Sequence, residues 1–134
     1  MKAGFTGPRI GMTFMQKEKL AVLLSAQSYR EFHHGDCVGA DAEAHEMALK
    51  SGVPVVIHPP ENPILRAHCL GASKTLPEKD YIDRNHAIVD ACDVLIGTPS
   101  SKMMVMKSGT WATIRYARKR GKQVILIYPD GSME

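Results

Sequence analysis

Short apolar runs of β-forming residues alternate with segments of helical periodicity along the whole chain, and no other feature limits the fold as strongly. Thr13 and Gln16 have the spacing of a helix capping box, and Gly52 follows the second helical segment as a stop signal. We therefore predict strands over residues 2–6, 30–34, 53–57, 93–97 and 123–128, and helices after Thr13 and over residues 40–50, 78–91 and 109–120.

Such an alternation is typical of a parallel sheet with helices on both faces, because each pair of parallel strands needs a crossover connection. We predict an α/β fold, a Rossmann-like three-layer sandwich with a mostly parallel sheet of about five strands. The 134 residues fit one domain, 1–134. In sheets of this kind ligands bind beyond the carboxyl ends of the strands.

Glycine, proline and polar residues recur where the predicted strands end. Turn chemistry explains any one of these loops, but their repetition at one edge of the sheet favours a binding crevice there. The loops are Thr6-Gly7-Pro8-Arg9, Gly35 to Asp41, His58-Pro59-Pro60, Gly97-Thr98-Pro99 and Ser108-Gly109-Thr110.

Two of these loops carry groups that suit a phosphate. Ser108-Gly109-Thr110 opens the last helix, where unpaired backbone N–H groups and the helix dipole favour an anion. Helix capping by Ser108 explains the same motif equally well. Arg9 follows a glycine turn and has a planar fork of donors that binds phosphate bidentately, with an ordinary surface arginine as the alternative.

The loop before the second helix offers a further phosphate cradle. Gly35 and Gly39 bracket this loop, and the helix begins at Ala40. Asp41, in the first helical turn, either complements the helix dipole or hydrogen-bonds a ribose hydroxyl. His58, at the end of the third strand, either contacts a base or sugar or is satisfied locally.

The third helix contributes two more candidates, Arg84 and Asn85. Asn85 falls between Tyr81 and Ile88 on the apolar stripe, so its amide either ties down a neighbouring loop or contacts the ligand. Trp111 is expected in the core, with stacking on a base or a dimer contact as the alternatives.

Composition and charge narrow the classes of partner. The chain is 44% hydrophobic and 23% charged, with a net charge of +3. It has no signal segment and no apolar run near the roughly 18 to 20 residues that span a membrane, so we expect no membrane partner. The three cysteines form no CxxC pair and predict reduced thiols in the cytoplasm. The histidines and cysteines at 33, 34, 37, 68 and 69 lack the spacing of a structural metal site, so we expect neither a metal nor a cofactor.

Taken in order, these motifs resemble the SLOG superfamily over nearly the whole chain. That grouping contains the Smf/DprA DNA-processing proteins, the "lonely guy" phosphoribohydrolases and the YspA/cpYpsA-like Rossmannoid proteins, and the last branch is the most similar. The resemblance implies a Rossmann-like fold that binds nucleotides or nucleotide-derived ligands, often as a dimer. It rests on Thr6 to Arg9, His34 to Asp41, His58 to Pro60, Arg84-Asn85, Ser108 to Trp111 and Pro129 to Gly131.

Binding without hydrolysis is the expected function. The phosphoribohydrolases carry a glutamate three positions after the motif threonine, where this chain has Thr113. A hydrolase of that type needs a carboxylate, for which Asp41 and Glu43 are the weak candidates. We expect a module that senses or sequesters a phosphorylated nucleotide or nucleotide-derived ligand, with N-glycoside hydrolysis second and DNA binding third. The predicted ligand-binding residues are Thr6, Gly7, Arg9, Gly35, Gly39, Ala40, Asp41, His58, Arg84, Asn85, Pro99, Ser108, Gly109 and Thr110.

Two surface segments bear on macromolecular partners. The basic run from Arg115 to Lys122 ends a helix, where cations offset the negative end of the dipole, so nucleic acid is not an expected partner. The methionine-rich loop from Lys102 to Lys107 is expected to close over the crevice or to pack on a partner chain. With the family resemblance, this loop predicts a homodimer or a higher homo-oligomer.

Overall fold

A six-stranded sheet forms the centre of the structure, which is a computed structural model describing residues 1–134. In chain order the strands are β1 (Lys2–Thr6), β2 (Glu31–His34), β3 (Val55–Ile57), β4 (Lys74–Thr75), β5 (Val94–Gly97) and β6 (Gln123–Leu126). Their order across the sheet is β4-β3-β2-β1-β5-β6, and every neighbouring pair is parallel. The predicted α/β class and parallel sheet are confirmed.

Four helices connect the strands. They are α1 (Phe14–Ala26), α2 (Ala40–Lys50), α3 (Tyr81–Ala91) and α4 (Gly109–Lys119), and a 3-10 helix, Pro63–Leu65, lies between β3 and β4. The predicted capping box is present, because the Thr13 side chain accepts the Gln16 backbone N–H and the Gln16 side chain accepts that of Thr13. No helix has the length and apolar character that crossing a membrane requires.

The structure corrects the prediction at the start of one helix and adds one strand, and two strands are shorter than predicted, since β3 begins at Val55 and β6 ends at Leu126. Helix α3 begins at Tyr81 rather than near Glu78, because the Asp80 carboxylate accepts the Asp83 backbone N–H and fixes the start of the helix. Strand β4 was predicted as loop. It has two exposed residues, which is too short to show any hydrophobic alternation.

The helices form two layers over separate clusters of apolar side chains. Helices α1 and α2 cover one face, where Leu20 and Leu24 pack with strand residues such as Phe5 and Phe32. Helices α3 and α4 cover the other face, and Trp111, 3% exposed, lies in that second cluster as predicted for a core residue. Burial of each large apolar side chain stabilises the fold by about 1.5 to 3 kcal/mol.

The strand order creates a switch point beside β1. After β1 the chain winds outward through β2, β3 and β4, and then returns to place β5 and β6 on the other side of β1. The connections on the two sides therefore diverge beyond the carboxyl ends of β1 and β5, at Thr6 and Gly97. Ligands of doubly wound sheets bind at such a point.

Gly39 holds the loop before α2 against the loop after β1. Its φ of 90° and ψ of −126° suit glycine alone, and a Cβ at this position would collide with the backbone carbonyl of Arg9.

We predict that Gly39→Ala lowers the free energy of unfolding by about 3 kcal/mol or more. Gly52→Ala is the matched control, since Gly52 also has a positive φ but open space around it, and should cost only about 1 to 2 kcal/mol. Equal losses in urea denaturation would contradict this reading of the loop contact.

Candidate functional site

A narrow crevice of about 30 Å³, partly open to solvent, lies beyond the carboxyl ends of β1 and β2, between α3 and the start of α4. It is lined by Phe5, Thr6, Gly7, Arg9, Gly35, Cys37, Asp41, Tyr81, Arg84, Asn85, Ile88, Thr110 and Thr113.

The guanidinium of Arg84 is the most unusual group in the crevice. The residue is 3% exposed, yet its side chain has no carboxylate oxygen within 4.0 Å. It donates hydrogen bonds to the backbone carbonyls of Gly35 and His58, and its Nε donates to the Asn85 amide oxygen at 2.8 Å. A Cβ on Gly35 would collide with the guanidinium, so any side chain there displaces Arg84 from this position. Arg84 is thus a buried cation held by neutral acceptors.

Asp41 is the buried acid of the same crevice. One of its carboxylate oxygens accepts the Cys37 backbone N–H at 3.2 Å. Burial raises the pKa of Asp41 to about 6, and the nearby positive charge of Arg84 opposes that rise. Asp41 therefore carries a carboxyl group that changes charge close to neutral pH.

The first turn of α4 reaches the crevice at Thr110. The Ser108 hydroxyl accepts the Trp111 backbone N–H at 3.3 Å, so the capping role of this serine is present. The backbone N–H groups of Gly109 and Thr110 have no protein acceptor. These two donors and the positive end of the helix dipole are available to an anion.

The structure brings eight of the predicted ligand-binding residues together in the crevice wall. They come from the ends of β1 and β2, the first turn of α2, and helices α3 and α4. They are Thr6, Gly7, Arg9, Gly35, Asp41, Arg84, Asn85 and Thr110.

Six predicted residues do not line the crevice. Gly39 and Ala40 fix the loop contact instead, with the Ala40 N–H donating to the Pro8 carbonyl at 3.0 Å. The Pro99 carbonyl accepts the buried Gln16 amide at 2.8 Å. Ser108 and Gly109 border the crevice only through the start of α4, and His58 belongs to another groove.

The His58 side chain is satisfied within the protein. Its Nε2 lies 2.8 Å from His33 Nδ1, and His33 Nε2 lies 2.9 Å from a Glu31 carboxylate oxygen. Because that carboxylate only accepts, His33 Nε2 carries a proton and His58 Nε2 donates to His33. Burial lowers the pKa of His58 to about 3, so the ring is neutral. Of the two roles predicted for His58, its hydrogen bonding fits satisfaction within the protein rather than contact with a base or sugar.

Five lining residues were not assigned to the ligand from the sequence, namely the core residues Phe5 and Ile88 and three residues with polar groups, Cys37, Tyr81 and Thr113. Cys37 lies inside the predicted glycine loop, and its thiol is 3.5 Å from an Arg84 nitrogen. Tyr81 was assigned only to an apolar stripe, yet its hydroxyl lies against Gly109. Thr113 was discussed only because the phosphoribohydrolases have a glutamate at its position. Its hydroxyl donates to the Gly109 carbonyl at 3.0 Å. The available signal was the position of Tyr81 and Thr113, each one helical turn from Arg84 or Thr110, and of Cys37 within the glycine loop.

Glu43, the other acid considered for catalysis, is engaged away from the crevice. One carboxylate oxygen accepts the Met12 backbone N–H at 2.7 Å, and the other lies 2.8 Å from Lys17 Nζ. Glu43 therefore fastens the loop after β1 to α2. Of the two candidate acids, Asp41 alone lines the crevice.

A group of His34, His45 and Cys69 brings its nitrogen and sulfur atoms within 4.8 Å of one another. The Asp36 backbone N–H donates to His34 Nδ1, His34 Nε2 lies 2.9 Å from His45 Nδ1, and His45 Nε2 lies 2.6 Å from the Leu70 carbonyl. A single tautomer of each ring satisfies this chain, and it uses every imidazole lone pair. Binding a metal here requires His34 to give up its Nε2 proton.

The basic residues at the end of α4 have partners within the chain. Arg118 lies 3.9 Å from Glu134, Arg120 lies 3.4 Å from Asp90, and Lys122 donates to the Cys92 carbonyl. Arg115 turns towards the methionine-rich loop and donates to the Met106 carbonyl at 3.2 Å. Because each of these basic side chains has a different partner, they do not form one continuous basic surface.

No known family model matches the sequence, and no curated protein matches it. Among solved structures, a molybdenum cofactor binding protein from the phototrophic bacterium Rippkaea orientalis aligns with 96% of this chain and 77% of its own, at 21% identity and a TM-score of 0.72. DNA processing protein A from Streptococcus pneumoniae aligns with 93% of this chain and 49% of its own, at 19% identity and a TM-score of 0.71.

A third structure, DNA processing protein A from Helicobacter pylori, aligns with 94% of this chain and 64% of its own, at 18% identity and a TM-score of 0.65. This chain thus spans about half to two thirds of the two DNA processing proteins. At these identities the likeness shows the fold alone, and the fold is the Rossmann-like one that all three proteins contain.

The raised pKa of Asp41 predicts a pH dependence of stability. An acid whose pKa is higher in the folded state than in the unfolded state stabilises the fold at low pH, and this contribution is lost as pH rises from about 4 to about 6. The loss is up to about 3 kcal/mol. We expect the free energy of unfolding of Asp41→Asn, relative to the wild type, to rise by that order between pH 4 and pH 7 in urea titrations.

The control is Asp80→Asn. Hydrogen bonds from Asp83 lower the pKa of this exposed cap, so its contribution is lost as pH falls and has the opposite sign. Parallel stability profiles for the wild type and Asp41→Asn across this pH range would show that Asp41 does not titrate near 6.

Proposed function

We propose that the crevice binds the phosphate of a nucleotide or nucleotide-derived ligand, and the observation that carries this proposal is the unpaired charge of Arg84. A buried charge without a counter-ion costs several kcal/mol. An anionic ligand in the crevice supplies a direct ion-pair partner for Arg84, and the planar fork of donors on Arg9, which lines the same crevice, matches a phosphate. The position at the switch point of the sheet supports the same proposal.

Other groups around the crevice complement this charge. Arg9 is exposed at its mouth and adds a second guanidinium, while Gly109 and Thr110 present free N–H groups from the start of α4. Asp41 is placed to accept a hydrogen bond from a ribose hydroxyl. Thr6 and Gly7 complete the wall at the end of β1.

In this proposal the protein is a sensor or sequestering module. Thr113 lines the crevice at the position where the phosphoribohydrolases carry their glutamate, and its hydroxyl is bonded to the Gly109 carbonyl. A threonine hydroxyl does not supply the carboxylate that their chemistry needs. Membership of the SLOG superfamily, in its YspA/cpYpsA-like branch, is part of the proposal, and so is the homodimer.

The alternative function is hydrolysis of a nucleotide N-glycosidic bond, and one observation favours it. Asp41 is a crevice carboxyl with its pKa raised to about 6, which is the property of many general acids and bases. In that reaction Asp41 takes a proton from water as the water oxygen bonds to the anomeric carbon of the ribose. The bond between that carbon and the base nitrogen breaks, and Asp41 returns the proton to the departing base. No comparable observation among these residues favours DNA binding.

The proposal predicts that ribose 5-phosphate and AMP bind the crevice and that Arg9→Ala weakens both by about tenfold or more, as expected for hydrogen bonds between a guanidinium and a phosphate. Isothermal titration calorimetry measures this loss. Arg9 is exposed, so its substitution leaves the core intact. Arg84→Gln removes the buried charge and should abolish binding in a protein that still unfolds cooperatively.

Arg30→Ala, another exposed arginine outside the crevice, is the matched control and should bind as the wild type does. AMP recovered intact by chromatography after long incubation supports the binding module. Steady release of adenine that Asp41→Asn abolishes would instead establish the hydrolase. Absence of binding by both compounds at millimolar concentration would refute the proposed function.

A further inference from the structure

A second cavity adjoins the crevice, and the two share a partition made by Arg9 and Tyr81, which line both. Its other walls come from the loop that follows β3 and from the residue that precedes α3. They are Pro60, Glu61, Asn62, Leu65 and Asp80. The two spaces therefore lie on either side of the Arg9 and Tyr81 side chains.

Backbone pairing fixes the outer wall of this second cavity. Pro60 forms a parallel bridge with Lys79, and the Glu61 N–H donates to the Lys79 carbonyl at 3.0 Å. The Asn62 side chain accepts the Ile64 N–H at 3.1 Å and starts the 3-10 helix. The wall is thus formed before any ligand arrives, which lowers the entropic cost of binding.

The two spaces differ in their charged groups. Arg84 and Asp41 lie in the crevice, Glu61 and Asp80 face the second cavity, and Arg9 lines both. Asp80 uses one oxygen to cap α3, but the Glu61 carboxylate has no hydrogen bond and no ion pair within the protein. A ligand that fits both spaces has an anionic phosphate at one end and hydrogen-bond donors at the other.

Tyr81 provides a flat surface between them. The residue is 40% exposed, and the Arg84 Cζ atom lies 5.2 Å from the ring centroid. Its hydroxyl lies against Gly109 and makes no hydrogen bond within the protein. Aromatic rings in such positions stack on nucleobases.

We propose that this second cavity binds the base of the nucleotide, stacked on Tyr81, and that Glu61 selects a base edge with paired N–H donors, as guanine presents. The inference rests on the proposed phosphate site, since the ligand is anchored there. A carboxylate accepts the ring N–H and the exocyclic amino group of guanine together, in the geometry in which it accepts a guanidinium. Hypoxanthine lacks that amino group and offers one donor only.

Calorimetry with ribose 5-phosphate, IMP and GMP tests this assignment. We expect GMP to bind at least about tenfold more tightly than ribose 5-phosphate, because the base adds stacking, and severalfold more tightly than IMP. Glu61→Gln should reduce the difference between GMP and IMP to less than about twofold, whereas Glu18→Gln, an exposed glutamate on α1, should preserve it. Tyr81→Ala should remove the advantage of both nucleotides, and Tyr81→Phe should retain it.

The outcomes separate the two proposals. Equal affinities for all three compounds, each still weakened by Arg9→Ala, would leave the phosphate site in place and refute the base cavity. A preference for GMP that Glu61→Gln does not change would refute the role of Glu61. Absence of binding by all three compounds would overturn the proposed function and this inference with it.

Discussion

The buried guanidinium of Arg84 holds the functional edge of the sheet together. From α3 it bonds the backbone carbonyls at the ends of β2 and β3, and it contacts the thiol of the loop that leads into α2. Two segments that are distant in sequence from α3 thus converge on one cation. Each hydrogen bond from such a charged donor contributes about 1.5 to 3 kcal/mol, but no carboxylate forms an ion pair with the guanidinium. This unpaired cation is the basis of the proposal that the crevice binds an anion.

The surrounding chemistry follows from that charge and from burial. Asp41, in the same crevice, feels opposing effects, since burial raises its pKa while the nearby guanidinium lowers it. The glycine at position 35 is set by steric need, because any side chain would occupy the space of the guanidinium. The proposed function therefore rests on these residues of the crevice and not on the fold. The structures that share the fold contain proteins named for molybdenum cofactor binding and for DNA processing, so the fold does not choose among functions.

The sequence predicted what local periodicity and capping control. Helix α2 has the predicted bounds, and the capping box of α1 is present, because both depend on neighbouring residues. The two-residue strand β4 has no periodicity, and only its pairing with β3 defines it. The roles of Tyr81 and His58 depend on how α3 packs across the strand ends, which no local pattern encodes. The burial of Arg84 arises in the same way.

The account is tested most directly by nuclear magnetic resonance of the 15N-labelled protein titrated with ribose 5-phosphate. If the crevice binds phosphate, the backbone amides of Gly109 and Thr110 and the side-chain Nε–H of Arg84 shift together and saturate with one dissociation constant. Shifts confined to the basic run from Arg115 to Lys122, with the crevice signals unchanged, would contradict the account, as would the absence of any saturable shift.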